Sequence, residues 1–362
     1  MATTKSAKLE LWVYKGTFGN KNPSKPDYTI TKNKIPTQSK ILFEVGELIK
    51  DYIDVTFDGD YATIDQTAWV EWTITKTLSD ATEEITTGSG LGLNGYGYFE
   101  DLINPQLSYG VLQSNTIMYV KTGDQPYIPM FAGGNGIFKV DYYNGVTLLN
   151  TLTVGNNVSF VTADTTDYKA DTTKLTADVT MIRNASSKGT VGVASYTGSP
   201  SKVVLTDINN VVTNVFVYYI DECKYTPYRV SFLNKFGAVQ PIYFFKRRND
   251  YLDVKNEAYY RNTVDDSKTK LLYSPNDSTK KLFDINGNKR IKMNTGYVDE
   301  QYNEVIQQLL MTDRAWIRDD DGVEYPILPV TKSMQYKTSV NDKLIDFTID
   351  FEYAYSEINL VR

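Results

Sequence analysis

The sequence predicts a mostly-β protein of the α+β class, with several antiparallel β-sandwich-like domains and two short amphipathic helices. Three observations carry this. Apolar and polar residues alternate over many short windows, the two-residue period of a strand with one wet face. Aromatic residues are abundant, with 28 Tyr, 15 Phe and 4 Trp, and with the β-branched residues they suit a pleated, half-buried surface. Helical spacing is confined to two segments.

The clearest strand spans 344–354. There Ile345, Phe347, Ile349, Phe351 and Tyr353 point one way, and Asp346, Thr348, Asp350 and Glu352 the other. Similar patterns predict strands at 8–14, 69–75, 117–121, 137–143, 203–206, 211–220 and 229–233. The first helical segment sets Val45, Leu48, Ile49, Tyr52 and Ile53 at i, i+3, i+4, i+7 and i+8. The second repeats that spacing with Tyr302, Val305, Ile306, Leu309 and Leu310, after Asp299 and Glu300, which suit a helix start.

A chain of 362 residues is long enough for two or three domains. We expect an N-terminal strand-helix-strand region at 1–85, a β-rich middle region at 86–214 and a C-terminal α+β domain at 215–362. Within the middle region, 151–201 is rich in Thr, Asp, Ser, Gly and Asn, and reads as thin strands with exposed turns.

Composition narrows the chemistry. The chain has no histidine and one cysteine, Cys223. That removes the Ser-His and Cys-His nucleophile pairs, imidazole bases, histidine-bound zinc, and any intramolecular disulfide. Asp, Glu, Lys and Tyr remain, and the expectation is a non-enzymatic protein with no catalytic, cofactor or metal residues. With 38 basic and 44 acidic residues the formal charge is -6, which lacks the cationic footprint of tight nucleic-acid binding. No apolar run reaches signal-peptide or membrane-spanning length, so the expectation is cytoplasmic synthesis without membrane anchoring.

Five local patterns could carry chemistry. Gly90-Leu91-Gly92-Leu93-Asn94-Gly95 matches GxGxxG, but no strand–helix unit surrounds it, so a flexible or partner-ordered loop is expected. Asp284-Ile285-Asn286-Gly287-Asn288 opens like a calcium loop, yet its glycine is misplaced and Thr295 stands where the closing Glu belongs; a turn is expected. Asp319-Asp320-Asp321-Gly322 reads as a hairpin loop. Lys246-Arg247-Arg248 is the strongest basic cluster and reads as a solvated strand end, and Cys223 as a structural residue. Paired carboxylates for glycoside hydrolysis stay open, because their spacing is three-dimensional.

Several segments, taken in order, resemble a known group. They are Asp221-Glu222-Cys223-Lys224-Tyr225-Thr226-Pro227-Tyr228, then Phe232-Leu233-Asn234-Lys235-Phe236-Gly237-Ala238, the helix at 302–310, and the closing runs 336–344 and 351–354. Earlier pieces at 43–53, Trp69-Val70 and 95–110 are also similar. Together they resemble virion tail structural proteins of crAss-like phages infecting Bacteroidota, over most of the chain and least over 151–210. The resemblance implies a ring or tail-hub subunit and carries over no catalytic residue. The implied partners are copies of the chain itself in a closed ring, neighbouring portal and tail proteins, and genomic double-stranded DNA passing without tight binding. Virion tail location after assembly in the host cytoplasm follows from the same resemblance. A receptor- or glycan-binding appendage and a carboxylate-dependent polysaccharide depolymerase are the alternatives.

Overall fold

The computed structural model describes residues 3–15, 19, 21–38, 40–61, 67–98, 110–132, 137–153, 173–176, 190–207, 209–265, 272–273, 276, 278–339 and 344–358. Three sheets dominate. The first comes from β1 (Thr4–Tyr14), β2 (Tyr28–Asn33), β4 (Thr67–Leu78) and β5 (Glu83–Leu93), with β3 (Ile41–Glu44) and helix α1 (Gly46–Lys50) between β2 and β4 in the chain. Its strands run antiparallel in the order β2-β1-β4-β5. The second sheet is mixed. It comprises β6 (Ile117–Lys121), β7 (Ile128–Ala132), β8 (Ile137–Asn144), β9 (Thr147–Thr153), β11 (Thr190–Ala194), β12 (Lys202–Asp207) and β13 (Val212–Ile220), while β10 (Thr173–Thr176) pairs with β3 instead.

The third sheet is antiparallel and follows β14 (Tyr228–Leu233), β15 (Val239–Phe244), β16 (Asn249–Tyr260), the small hairpin β17 (Val264–Asp265) and β18 (Leu272–Tyr273), β19 (Lys280–Asn294), helix α2 (Tyr302–Leu310), β20 (Ala315–Arg318), β21 (Glu324–Pro329) and β22 (Thr348–Tyr353). Its order is β15-β14-β20-β21-β22-β19-β16. The fold is thus mostly β with two helices among the described residues. The sheets span 4–93, 117–220 and 228–353, so the expected boundaries at 85 and 214 fall inside β5 and β13.

Alternation explains the first sheet. On β4, Ala68, Val70, Trp72 and Ile74 are buried, and on β1 so are Ala7, Leu9, Leu11 and Val13; they close over Phe43, Val45, Ile49, Ile53 and Val55. Helix α1 is a single turn, shorter than its apolar spacing implied. Its stripe nevertheless packs, with Val45, Ile49 and Ile53 all buried. Helix α2 matches its spacing. Tyr302, Val305, Ile306 and Leu309 lie on Ile349, Phe351, Phe232 and Phe244, and Asp299 Oδ1 accepts the Gln301 N–H at 3.0 Å at the helix start. Of the strand expected over 344–354, only Thr348–Tyr353 is laddered, although the alternating burial runs the whole way from Ile345 to Tyr353.

The third sheet is covered on both faces near β14 and β15. Val230, Phe232, Ile242 and Phe244 face α2. Tyr243 and Phe245 join the core of the second sheet, while Leu233, Val239 and Trp316 join that of the first. Every residue of β15 is consequently buried. No described helix is long and apolar enough to cross a membrane.

Candidate functional site

Two regions merit attention: a cleft where the three sheets meet, and an arm that leaves the third sheet. The junction is built from short-range choices in three segments. On β14, alternation sends Val230 and Phe232 to the α2 core, which turns Arg229 and Ser231 toward the other sheets. Arg229 Nη2 donates to Glu324 Oε1 at 2.6 Å, and both side chains are at least 95% buried. The guanidinium also lies over the rings of Tyr61 and Tyr127, which stack with centroids 4.2 Å apart. The hydroxyls of Tyr61 and Ser231 share a hydrogen bond of 2.6 Å, and Tyr243 donates to Asp124 Oδ2 at 2.9 Å. Gly59 at φ +104° lets the chain before Tyr61 pass over Glu324; a Cβ there would sit 3.3 Å from Glu324 Cγ.

Burial pushes Tyr61 and Tyr243 above the ordinary tyrosine range, so both phenols stay protonated. For Arg229, burial works against the charge, but the hydrogen bond to Glu324 and the charge of that carboxylate outweigh it and hold the group above its usual value. Burial also raises Glu324, opposing the pull of Arg229. We take the pair as ionised, since a 2.6 Å charge-assisted contact to an always-protonated guanidinium favours the carboxylate.

Beside this junction opens a cleft of about 620 Å³, lined among others by Lys121, Asp124, Tyr127, Tyr228, Arg318 and Asp320. The acidic run 319–322 forms its rim and is the β20–β21 hairpin loop, as its glycine suggested. Asp319 Oδ1 accepts the N–H groups of Asp321 and Val323, at 3.0 and 2.8 Å, and Gly322 takes φ +82°. Tyr228 donates to Asp320 Oδ2 at 3.4 Å. These carboxylates hold the loop and the cleft wall; among the described residues no group of three or more His, Cys, Asp or Glu is placed to hold a metal ion.

Other sequence patterns land elsewhere. The GxGxxG stretch is not a flexible loop: it lies on β5 and just beyond it. Its glycines permit close packing, because a Cβ on Gly92 would lie 2.6 Å from Ile49 Cγ2, and one on Gly95 would lie 2.5 Å from the Lys235 carbonyl oxygen. Just upstream on the same strand, a Cβ on Gly88 would collide with the Trp72 indole at 2.3 Å. The segment 284–288 is not a turn but part of β19. Asp284 takes φ +50° where the ladder slips between Lys255 and Glu257, a β-bulge two residues deep opposite one.

The basic run 246–248 is largely neutralised within the chain. Lys246 pairs with Glu222 at 2.7 Å, and Arg248 pairs with Asp250 at 2.7 Å while lying over Tyr228. Cys223 is an exposed free thiol, which lends no support to the structural role expected of it. Most of 151–201 lies outside the described residues, as does 99–109 of the resembling segment 95–110.

The resembling run 232–238 forms a polar hub. Asn234, fully buried, donates to the Leu112 carbonyl at 2.7 Å and to Gln240 Oε1 at 2.9 Å, and its Oδ1 accepts from Phe236 and Ala238 N–H. Gln240 in turn donates to Asn115, and the Lys235 carbonyl accepts the Tyr96 N–H at 2.8 Å. Sequence gave no signal for Arg229, Tyr61 or Tyr127 as a cluster, because they are 66 to 168 positions apart in the chain.

The arm is the β16–β19 hairpin beyond Arg290. Residues 251–260 and 280–285 are all exposed. Its sequence signal is the period-two alternation of Leu252-Asp253-Val254-Lys255, which is absent from the strands expected above.

Comparison with known protein families, with curated proteins and with solved structures finds no match.

Proposed function

We propose that this chain is a non-enzymatic structural subunit of a phage virion tail, repeated around a closed ring that extends the DNA channel below the portal. The observation that carries the reading is the arm: ten residues of β16, 251–260, leave the body with their apolar side chains in solvent. Such a ribbon is costly to leave open, and a neighbouring subunit is the natural cover in a ring. The sequence resemblance supports the same reading. So does the formal charge of -6, since a conduit that grips phosphate would stall its cargo. The three-way junction suits a rigid building block, because its cations and carboxylates are spent on holding the sheets together.

A second reading rests on the cleft. Its tyrosines and polar rim fit a saccharide, as a receptor-binding appendage would require. Imaging intact particles with this chain labelled separates the two. Ring symmetry at the tail is expected; a projecting trimer, or turnover of a polysaccharide by the purified chain, overturns the proposal.

A further inference from the structure

We infer that the β16–β19 arm is a self-association element, in which the acidic edge of β16 from one copy pairs antiparallel with the open edge of β19 from the next. The inference rests on the ring reading and names its contact.

The register divides the arm into two faces. Asp250 opposes Ile291, so Leu252, Val254, Ala258 and Tyr260 lie on the face that Ile291 presents to the α2 core, and Leu282, opposite Ala258, joins them. Inside the body that face is buried, with Ile291 only 1% exposed. In the arm it is bare, with Leu252 at 56%, Val254 at 54%, Leu282 at 53% and Tyr260 at 77%. The other face carries Tyr251, Asp253, Lys255, Glu257 and Tyr259, opposite Arg290, Asn288, Asn286, Phe283 and Lys281 in turn.

Both edges of the ribbon are open. β16 is the last strand of its sheet. On the other side β22 reaches only Arg290–Asn294, and Glu357 N–H caps the Gly287 carbonyl at 2.7 Å. That leaves the outer edge of 280–286, the one turned away from β16, with no strand beside it among the described residues. The edges differ in charge. β16 bears Asp250, Asp253 and Glu257 against Lys255, whereas 280–286 bears Lys280 and Lys281 against Asp284. Among the described residues Glu257 and Lys281 take part in no ion pair, while Asp253 is held by Arg290 at 3.0 Å.

Opposite charge on opposite edges makes the ribbon complementary to a copy set beside it in the same orientation. Because β16 and β19 run antiparallel, laying β16 of one copy next to β19 of another continues the alternation. The same rotation repeated is heterologous, the class of contact from which rings are built when the rotation closes. A two-fold pairing of β16 with itself would instead leave both β19 edges open.

The test is self-association of the full chain, read as mass by light scattering across a dilution series, for the wild type, Glu257→Lys, Lys281→Glu and the double variant. Each single reversal is expected to weaken association by about tenfold or more, and the double variant, complementary again, to recover it. Far-ultraviolet circular dichroism should not move, since both positions are exposed, and any shift of the unfolding midpoint should vanish at the dilutions where the wild type is monomeric. If the wild type associates and neither reversal matters, the arm contact is wrong and the ring must close elsewhere. If Glu257→Lys acts but Lys281→Glu does not, β16 pairs with itself and the inference falls. A wild type that stays monomeric at every concentration overturns this inference and the ring reading together.

Discussion

At the junction, Tyr61, Tyr127, Tyr243 and Trp316 each lie against a ring, a cation or a core contributed by another sheet. In the arm, Tyr251 and Tyr260 are 51% and 77% exposed, and the one pair of rings in contact there among the described residues is Tyr259 and Phe283. The residue types are the same. What differs is coverage: at the junction three sheets converge on β14 and β15, whereas in the arm residues 251–260 and 280–285 are exposed on both faces. A two-stranded ribbon buries too little to stand alone, so its order depends on the long ladder that anchors it at β22. The contrast teaches that abundant aromatics can serve internal cohesion and external docking within one chain, and that the sheet count around them decides which.

The largest expected effect is at the junction. Arg229→Met removes one partner of a buried pair and leaves Glu324 charged without it, and should cost about 3–5 kcal/mol in urea unfolding. Adding Glu324→Leu should recover much of that loss, since replacing both partners by apolar groups is often neutral. A small effect of the single change would break the comparison, because the junction would then hold no better than the arm.

Gly95→Ala comes next. The added methyl meets the Lys235 carbonyl oxygen at 2.5 Å, backbone against backbone, where the polar hub has no room to give. We expect a loss of about 1–3 kcal/mol by the same measurement.

A smaller effect lies at the root of the arm. Asn294, with Lys337 assisting, holds Asp346 below the ordinary aspartate range against partial burial; the contacts are 2.7 and 3.0 Å. A depressed folded-state pKa stabilises above the unfolded value, and that contribution is lost as pH falls through the folded one. The melting temperature should therefore drop below about pH 4, and Asp346→Asn should flatten part of that drop while lowering stability at neutral pH.

The smallest effect is in the arm itself. Leu252→Ala should change unfolding by no more than about 0.5 kcal/mol, as for an exposed site. A loss of several kcal/mol would mean that Leu252 is covered within its own chain.

Much of the fold was readable locally. Alternation located β4, β6, β8, β12, β13 and β14, because a strand with one wet face prints its period on the sequence. The Gly-rich β5 was misread as a loop, since its glycines answer to Trp72 and Ile49, which approach from other elements. β15 shows no alternation because both of its faces are covered, and that follows from how the sheets stack. The candidate site was less readable still. Arg229 looks in sequence like any polar position on a strand, and only the convergence of three sheets buries it against Glu324.

By itself the sequence determined which residues are apolar at which period, and with that the strands, the two helical stripes and the exclusion of imidazole and disulfide chemistry. Only the tertiary structure decided which alternating strands would be covered and which left open. Period is set by neighbours along the chain, but burial depends on what the chain brings back from far away. Leu252 and Ile291 share one face of one ladder, and a second layer reaches only the latter.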